Sequence, residues 1–312
     1  VLGVDDAALT RMRRRSPDEN EECFSVTVAV DDRYATRVAH DPTIVDRVEP
    51  VVWSEVNNPE LIGYAEAGYA QFDNALSPAD VAACLREIAR IESDESLAHD
   101  PRIVREQGSA AVRSIFDIRQ LSPVVSAAVE LSGARRHAQE ILGSDVYVHQ
   151  SRLNYKPGFQ GGAFYWHSDF ETWHAEDGMP LPRAVSASIS LTHNEIYNGP
   201  LMISPGSHRR FVQCVGATPE AFYEESLAST RPDFGVPTER DITAIVDECG
   251  IDVLTGQAGS MTMFDCNVLH ASAGNISPVP RANIFVVFNS VDNRLQEPFS
   301  GSEPRPEYLA AR

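Results

Sequence analysis

Apolar residues change their spacing near residue 146, which divides the chain into a helix-rich half and a strand-rich half. In LSPADVAACLREIARIE, Val81, Cys84, Leu85, Ile88 and Ile91 recur at steps of three and four, the spacing that gathers them into one helical stripe. Ser77 stands where an N-cap belongs and Pro78 suits the first helical position. Asp80 occupies the capping-box place more often taken by Glu or Gln. A second helical stretch starts at Ser122–Pro123, breaks at Gly133 and resumes to about Leu142, before Gly143.

From Val146 onward the period is two. VYVHQSRLNY places Val146, Val148, Gln150, Arg152 and Asn154 on one strand face and turns His149 away from Gln150. AVSASISLT puts Ser186, Ser188 and Ser190 on one side and Val185, Ala187, Ile189 and Leu191 on the other. GSMTMFDC and RANIFVVFNSV read as further strands, punctuated by NGP, SPGS and AGN turns. Many short strands after a helical half predict a mainly β sandwich or barrel with surrounding helices. Residues 1–45 are poorly periodic and read as a weakly structured arm, with Phe24–Val30 as a candidate edge strand. Residues 46–312 read as a single domain, without an internal repeat.

Composition adds exclusions. A formal charge of −19 over 312 residues argues against nucleic acid or an anionic membrane as partner, because both need a basic footprint. No apolar run approaches the roughly 18 residues that span a bilayer. Five cysteines without a CxxC pair fit packed thiols in a reducing cytoplasm rather than a disulfide framework or a zinc-thiolate site.

The candidate chemistry lies in FYWHSDFETWHAEDG. If FYWHSDF is extended, His167 and Asp169 point to the same side of the sheet. Two imidazoles and one carboxylate on one face of an octahedron suit iron(II) with open positions, and VLHASAGN offers His270 as the second imidazole. An HxD pair is a weak signal alone, and a lone histidine fits a satisfied core position as well as a ligand. Arg281, eleven residues after His270, opens a strand in an apolar context and needs an anion to offset its burial. A dicarboxylate such as 2-oxoglutarate supplies one, its far end paired with the guanidinium. A zinc hydrolase could use the same His/His/Asp donors but has no use for that arginine.

The stretches GSDVYVHQSRLNYKPGF, FYWHSDFETWHAEDGMP, NGPLMISPGSH, GATPE, MFDCNVLHASAGNISPVPRANIFVVFNSV and the EPFSG…RPEY tail carry a resemblance. They are similar to the non-haem iron(II), 2-oxoglutarate-dependent dioxygenases of the phytanoyl-CoA hydroxylase group, and within it to the branch that hydroxylates ectoine. The likeness runs from about residue 144 to the end and more loosely back to residue 48. It implies a double-stranded β-helix core of jelly-roll, cupin-like type, and O2 as co-reactant. It implies iron(II) ligands at His167, Asp169 and His270, and 2-oxoglutarate held by Arg281 with Asn154, Arg152 and Ser272. His174 and Asp177 lie past Trp173, where the strand should have ended, and read as loop residues with structural duties; His149, on its strand face away from Gln150, reads as structural too.

The resemblance also implies a pocket for ectoine, a small zwitterion. Phe164, Trp173 and Phe264 surround its cationic ring, each cation–π contact contributing about 0.5–2 kcal/mol. Gln150 and Ser186 orient it, and Arg305 anchors its carboxylate. Phe285 shares a strand face with Arg281 and joins the lining, whereas Phe288 points away unless a bulge intervenes. A cytoplasmic homodimer is implied as well. The alternatives are a hydroxylase of another cyclic amino acid, such as proline or pipecolate, and an iron-free jelly-roll binding protein.

Overall fold

The period-two segments pair as two antiparallel sheets. The larger runs β2 (Tyr69–Phe72), β11 (Met261–Asp265), β7 (Ala184–Ser190), β13 (Arg281–Ser290), β5 (Val146–Lys156), β4 (Val112–Phe116), β3 (Ile103–Arg105). The smaller runs β10 (Asp252–Leu254), β8 (Leu201–Ile203), β12 (His270–Ser272), β6 (Phe164–His167). Leu201, Ile203 and Leu254 of the smaller sheet share one buried cluster with Phe264 and Phe285 of the larger. The sheets thus close on each other as the expected double-stranded β-helix. This computed structural model describes residues 32–312 apart from Val56; the Phe24–Val30 strand lies outside the described residues.

The serine face and the aliphatic face of β7 separate as the alternation requires. Val185, Ala187 and Ile189 pack outward in one cluster with Ile284, Val286 and Phe288 of β13 and with helix residues Val81, Cys84, Ile88, Val125, Ala138 and Ile141. Each large apolar side chain so buried contributes about 1.5–3 kcal/mol. Phe288 therefore points away from the barrel interior, as expected. The helix Pro78–Glu92 begins as its sequence predicts: Asp80 N donates to Ser77 Oγ at 3.2 Å, a cap contributing ~1 kcal/mol. Leu85 departs from the expected stripe and is 38 % exposed, at the edge of the buried face. Pro123–Leu131 and Ala134–Leu142 are the two halves of the second helical stretch, separated by Gly133 at φ 77°.

Alternation along β5 fails at one point. Val287 pairs with Gln150 but Phe288 pairs with Val148, so His149 is the extra residue of a bulge. Gln150, Arg152 and Asn154 keep one face, while Val146 and Val148 join the outward cluster instead of sharing it. His149 consequently does not turn out to a surface; it is 1 % exposed beside Trp173.

The described compact unit starts at Tyr34, before the expected boundary near residue 45. Tyr34 is buried against Phe170 and Phe211, and β1 (Ile44–Asp46) pairs with β9 (Arg210–Val212). Among the described residues no helix is long and apolar enough to cross a membrane.

Candidate active site

Strand β6 pairs with β12 so that His167 sits opposite His270, their ring centroids 4.2 Å apart. The strand ends there. Ser168 is still extended, but Asp169 opens the helical turn Asp169–Thr172 rather than continuing the strand. Its carboxylate nonetheless returns to the pair: His167 Nε2 lies 3.7 Å from Oδ1 and His270 Nε2 3.9 Å from Oδ2. His167 Nδ1 contacts Tyr165 O at 2.6 Å and His270 Nδ1 contacts Val268 O at 3.0 Å. A carbonyl oxygen only accepts, so both Nδ1 atoms donate, which leaves each Nε2 as the ring nitrogen turned toward the carboxylate.

The electrostatics suit metal binding. Burial and then the His270 ring draw the His167 pKa down to about 4, which keeps the imidazole neutral. Burial alone would raise the Asp169 pKa, but His270, His167 and Arg152 hold it below the ordinary carboxylate value. One ligand atom from each of the three residues lies within 4.8 Å of the others, a spacing that accommodates a single ion. Two imidazole nitrogens and a carboxylate on one side fit iron(II).

Behind the triad lies a cavity lined by Arg152, Asn154, Leu201, Ser272, Arg281 and Phe285, among others. Arg281 is 1 % exposed; its Nη1 donates to Gly199 O at 2.6 Å and Nη2 to Asn154 Oδ1 at 3.1 Å. Its Nε is buried without a partner, as is Arg152 Nε. Burial, then Arg152 and Arg113, pull the Arg281 pKa down to about 9. Lys156 lies nearby, fully buried, and burial with Arg281 and Arg113 draws its pKa down to about 6. This concentration of desolvated positive charge with orphaned donors is what a carboxylate would relieve. Ser272 Oγ donates to Gly199 O at 3.3 Å at the same wall.

A second cavity adjoins His167 and Asp169, sharing Arg152, Phe164 and His167 with the first. Gln150, Trp173 and Arg305 line it too. Gln150 Nε2 donates to Leu309 O at 2.6 Å, and Arg305 makes a bidentate pair with Asp177. Phe164 sits under Arg113, whose guanidinium carbon is 3.8 Å from the ring centroid. Two expected pocket residues stand one layer back: Phe264 packs on the His270 ring, and Ser186 Oγ donates to Asp169 Oδ2 at 3.4 Å. Phe285 lines the arginine cavity, not this one.

His174 and Asp177 lie in the helical turn Trp173–Asp177, not in a loop. Sequence reasoning also missed the buried pairs around them. Arg37 binds Glu171 at 2.7 Å and Glu176 at 3.0 Å, and His149 Nε2 lies 3.2 Å from Asp177 Oδ2. Nothing in local spacing announces these contacts. Lys156 was legible, since it shares the even-numbered face of β5 with Arg152 and Asn154.

Residues 64–283 match the phytanoyl-CoA dioxygenase (PhyH) profile. The chain belongs to the phytanoyl-CoA dioxygenase family. Its relatives within the family include the ectoine dioxygenase of Nocardia farcinica, 51 % identical over 281 residues, covering 90 % of this chain and 94 % of that protein. Among solved structures it is similar to EctD from S. alaskensis with 2-oxoglutarate and 5-hydroxyectoine: TM-score 0.79, 40 % identity, 90 % of this chain and 95 % of that one. The same enzyme with bound Fe matches at TM-score 0.77 and 40 % identity, over 89 % and 94 % of the two chains. The family match thus runs from ahead of the Pro78–Glu92 helix to the start of the last strand, Arg281–Ser290.

Proposed function

We propose that this protein hydroxylates ectoine to 5-hydroxyectoine, consuming O2 and 2-oxoglutarate and releasing succinate and CO2. One oxygen atom enters the product hydroxyl and the other the succinate carboxylate. The observation that carries the reading is the likeness to the EctD structure holding 2-oxoglutarate and 5-hydroxyectoine, which extends over 90 % of this chain. The donor chemistry around His167, Asp169 and His270 agrees with it.

His167, Asp169 and His270 hold iron(II), which supplies the dioxygen chemistry that side chains lack. The chain's own part is positioning. Arg281, desolvated and short of partners, takes the distal carboxylate of 2-oxoglutarate, with Asn154, Ser272 and Arg152 around it. Phe285 and Leu201 give that cavity its apolar lining. Gln150, Trp173, Phe164 and Arg305 form the substrate wall, an aromatic face for the ring cation beside a guanidinium for the acid. Ser186 and Phe264 act one layer back, holding Asp169 and the His270 ring in place. No side chain is required as a general base.

The experiment supplies iron(II) and 2-oxoglutarate anaerobically, then ectoine or L-proline, then oxygen. A product one oxygen heavier than ectoine, with matching succinate, is the expected result. Preferred turnover of proline, or succinate release that ignores ectoine, overturns it. Cytoplasmic residence and homodimerisation belong to the same proposal. Cys84, Cys214, Cys249 and Cys266 are free thiols, in keeping with a reducing compartment, and sedimentation tests the dimer.

A further inference from the structure

Arg305 approaches the substrate wall from a C-terminal tail without regular secondary structure, between Gly301 and Pro306. An arginine on such a segment has about 2 kcal/mol of rotamer freedom to lose before it can serve as a fixed anchor. Here its Nε and Nη2 each donate at 2.7 Å to the two oxygens of Asp177. Asp177 is fully buried; Arg305 first, and then His149 with its Nε2 3.2 Å from Oδ2, hold the Asp177 pKa below the ordinary carboxylate value against burial. The same His149 ring meets the edge of Trp173 at 5.2 Å between centroids. His149 reaches this place only through the β5 bulge, and its carbonyl accepts from Ala311 N at 2.8 Å, tying the tail to the strand. Glu176 lies 3.8 Å from Arg305 Nε and also holds Arg37.

Resting on the functional reading above, we infer that Asp177 and His149 are positioning residues that fix the Arg305 guanidinium and the Trp173 ring as one unit. The unit recognises a cyclic cation bearing a carboxylate. Arg305 uses its Nε–Nη2 edge for Asp177, and Nη1 makes no protein hydrogen bond among the described residues while the residue lines the cavity. The free corner is the part left for a ligand acid. A bidentate clamp sets the plane of that corner, which a single contact would not do.

The test compares binding of ectoine with binding of the corresponding cyclic amidine lacking the carboxylate. Calorimetry is done on anaerobic enzyme loaded with iron(II) and 2-oxoglutarate. The unsubstituted protein should prefer the acid-bearing ligand. In Asp177→Asn, affinity for ectoine should fall roughly 10- to 100-fold, the size expected when a charge-assisted hydrogen bond to the ligand acid is lost. Affinity for the amidine and for 2-oxoglutarate should stay within about threefold of the starting values, so the preference collapses. His149→Gln should move the ratio in the same direction by less, and it decides the matter if Asp177→Asn does not fold. A general loss of structure would lower both affinities together, and that outcome overturns the inference. So does an unsubstituted protein that binds the two ligands equally. If it binds ectoine selectively yet fails to hydroxylate it, the functional reading falls while the positioning role stands.

Discussion

Replacing Arg281 with methionine should raise thermal stability while removing cosubstrate binding. The guanidinium is 1 % exposed, and burial beside Arg152 and Arg113 draws its pKa well below the ordinary arginine value, to about 9. At roughly 1.4 kcal/mol for each tenfold change in proton affinity, that represents on the order of 5 kcal/mol of unfavourable interaction. Against it stand the hydrogen bonds to Gly199 O and Asn154 Oδ1, whose loss costs about 1–2 kcal/mol each. Methionine fills similar space without charge. The net is a gain of roughly 1–3 kcal/mol, or about 5 °C in melting temperature. For the unsubstituted protein, 2-oxoglutarate at about 100 times its Kd adds ~2.7 kcal/mol. The variant should gain almost nothing from the same addition, and its KM for 2-oxoglutarate should rise at least ~100-fold with two charge-assisted hydrogen bonds lost. Differential scanning fluorimetry with and without 2-oxoglutarate reads both effects. If Arg281→Met melts several degrees below the parent, or is stabilised equally by 2-oxoglutarate, the desolvated-anion-site reasoning is wrong.

His167→Ala, and separately Asp169→Ala, should abolish ectoine-dependent succinate release and lower the iron content measured after desalting; normal turnover in either contradicts the ligand assignment. Lys156 has a folded pKa of about 6 against 10.5 unfolded, so between those values the unfolded chain binds more protons and stability rises with pH. Its contribution is at most ~1.4 kcal/mol per pH unit between pH 7 and 9; urea midpoints over that range should therefore climb less steeply in Lys156→Met than in the parent. Gly178 has φ 80°, and a Cβ there would sit 2.1 Å from Gln296 O. Gly178→Ala should therefore cost roughly 3 kcal/mol or more in a urea titration and weaken ectoine binding through the neighbouring Asp177, whereas an unchanged midpoint would contradict this account of the turn.

Much of the architecture was written in local spacing. The capped helix at Pro78, the break at Gly133 and the two faces of β7 follow from residues a few positions apart, because backbone geometry alone sets where neighbouring side chains point. The meeting of His167 with Asp169 was legible for the same reason, although the second residue arrives on a helical turn instead of a strand. His270 and Arg281 could be nominated from their places in the chain, but the pairing of β12 with β6 is what brings the second imidazole opposite the first. Other features belonged to tertiary structure entirely. The β5 bulge arises from how that strand registers with β13, and it alone carries His149 inward. Asp177 and Arg305 are 128 positions apart, so their pairing depends on the path of the tail over the barrel. The depressed pKa of Lys156 likewise comes first from its burial in the closed sheet and then from Arg281 and Arg113 on other strands. Short-range pattern determines which way a side chain faces; only the closed sheet determines what it meets there.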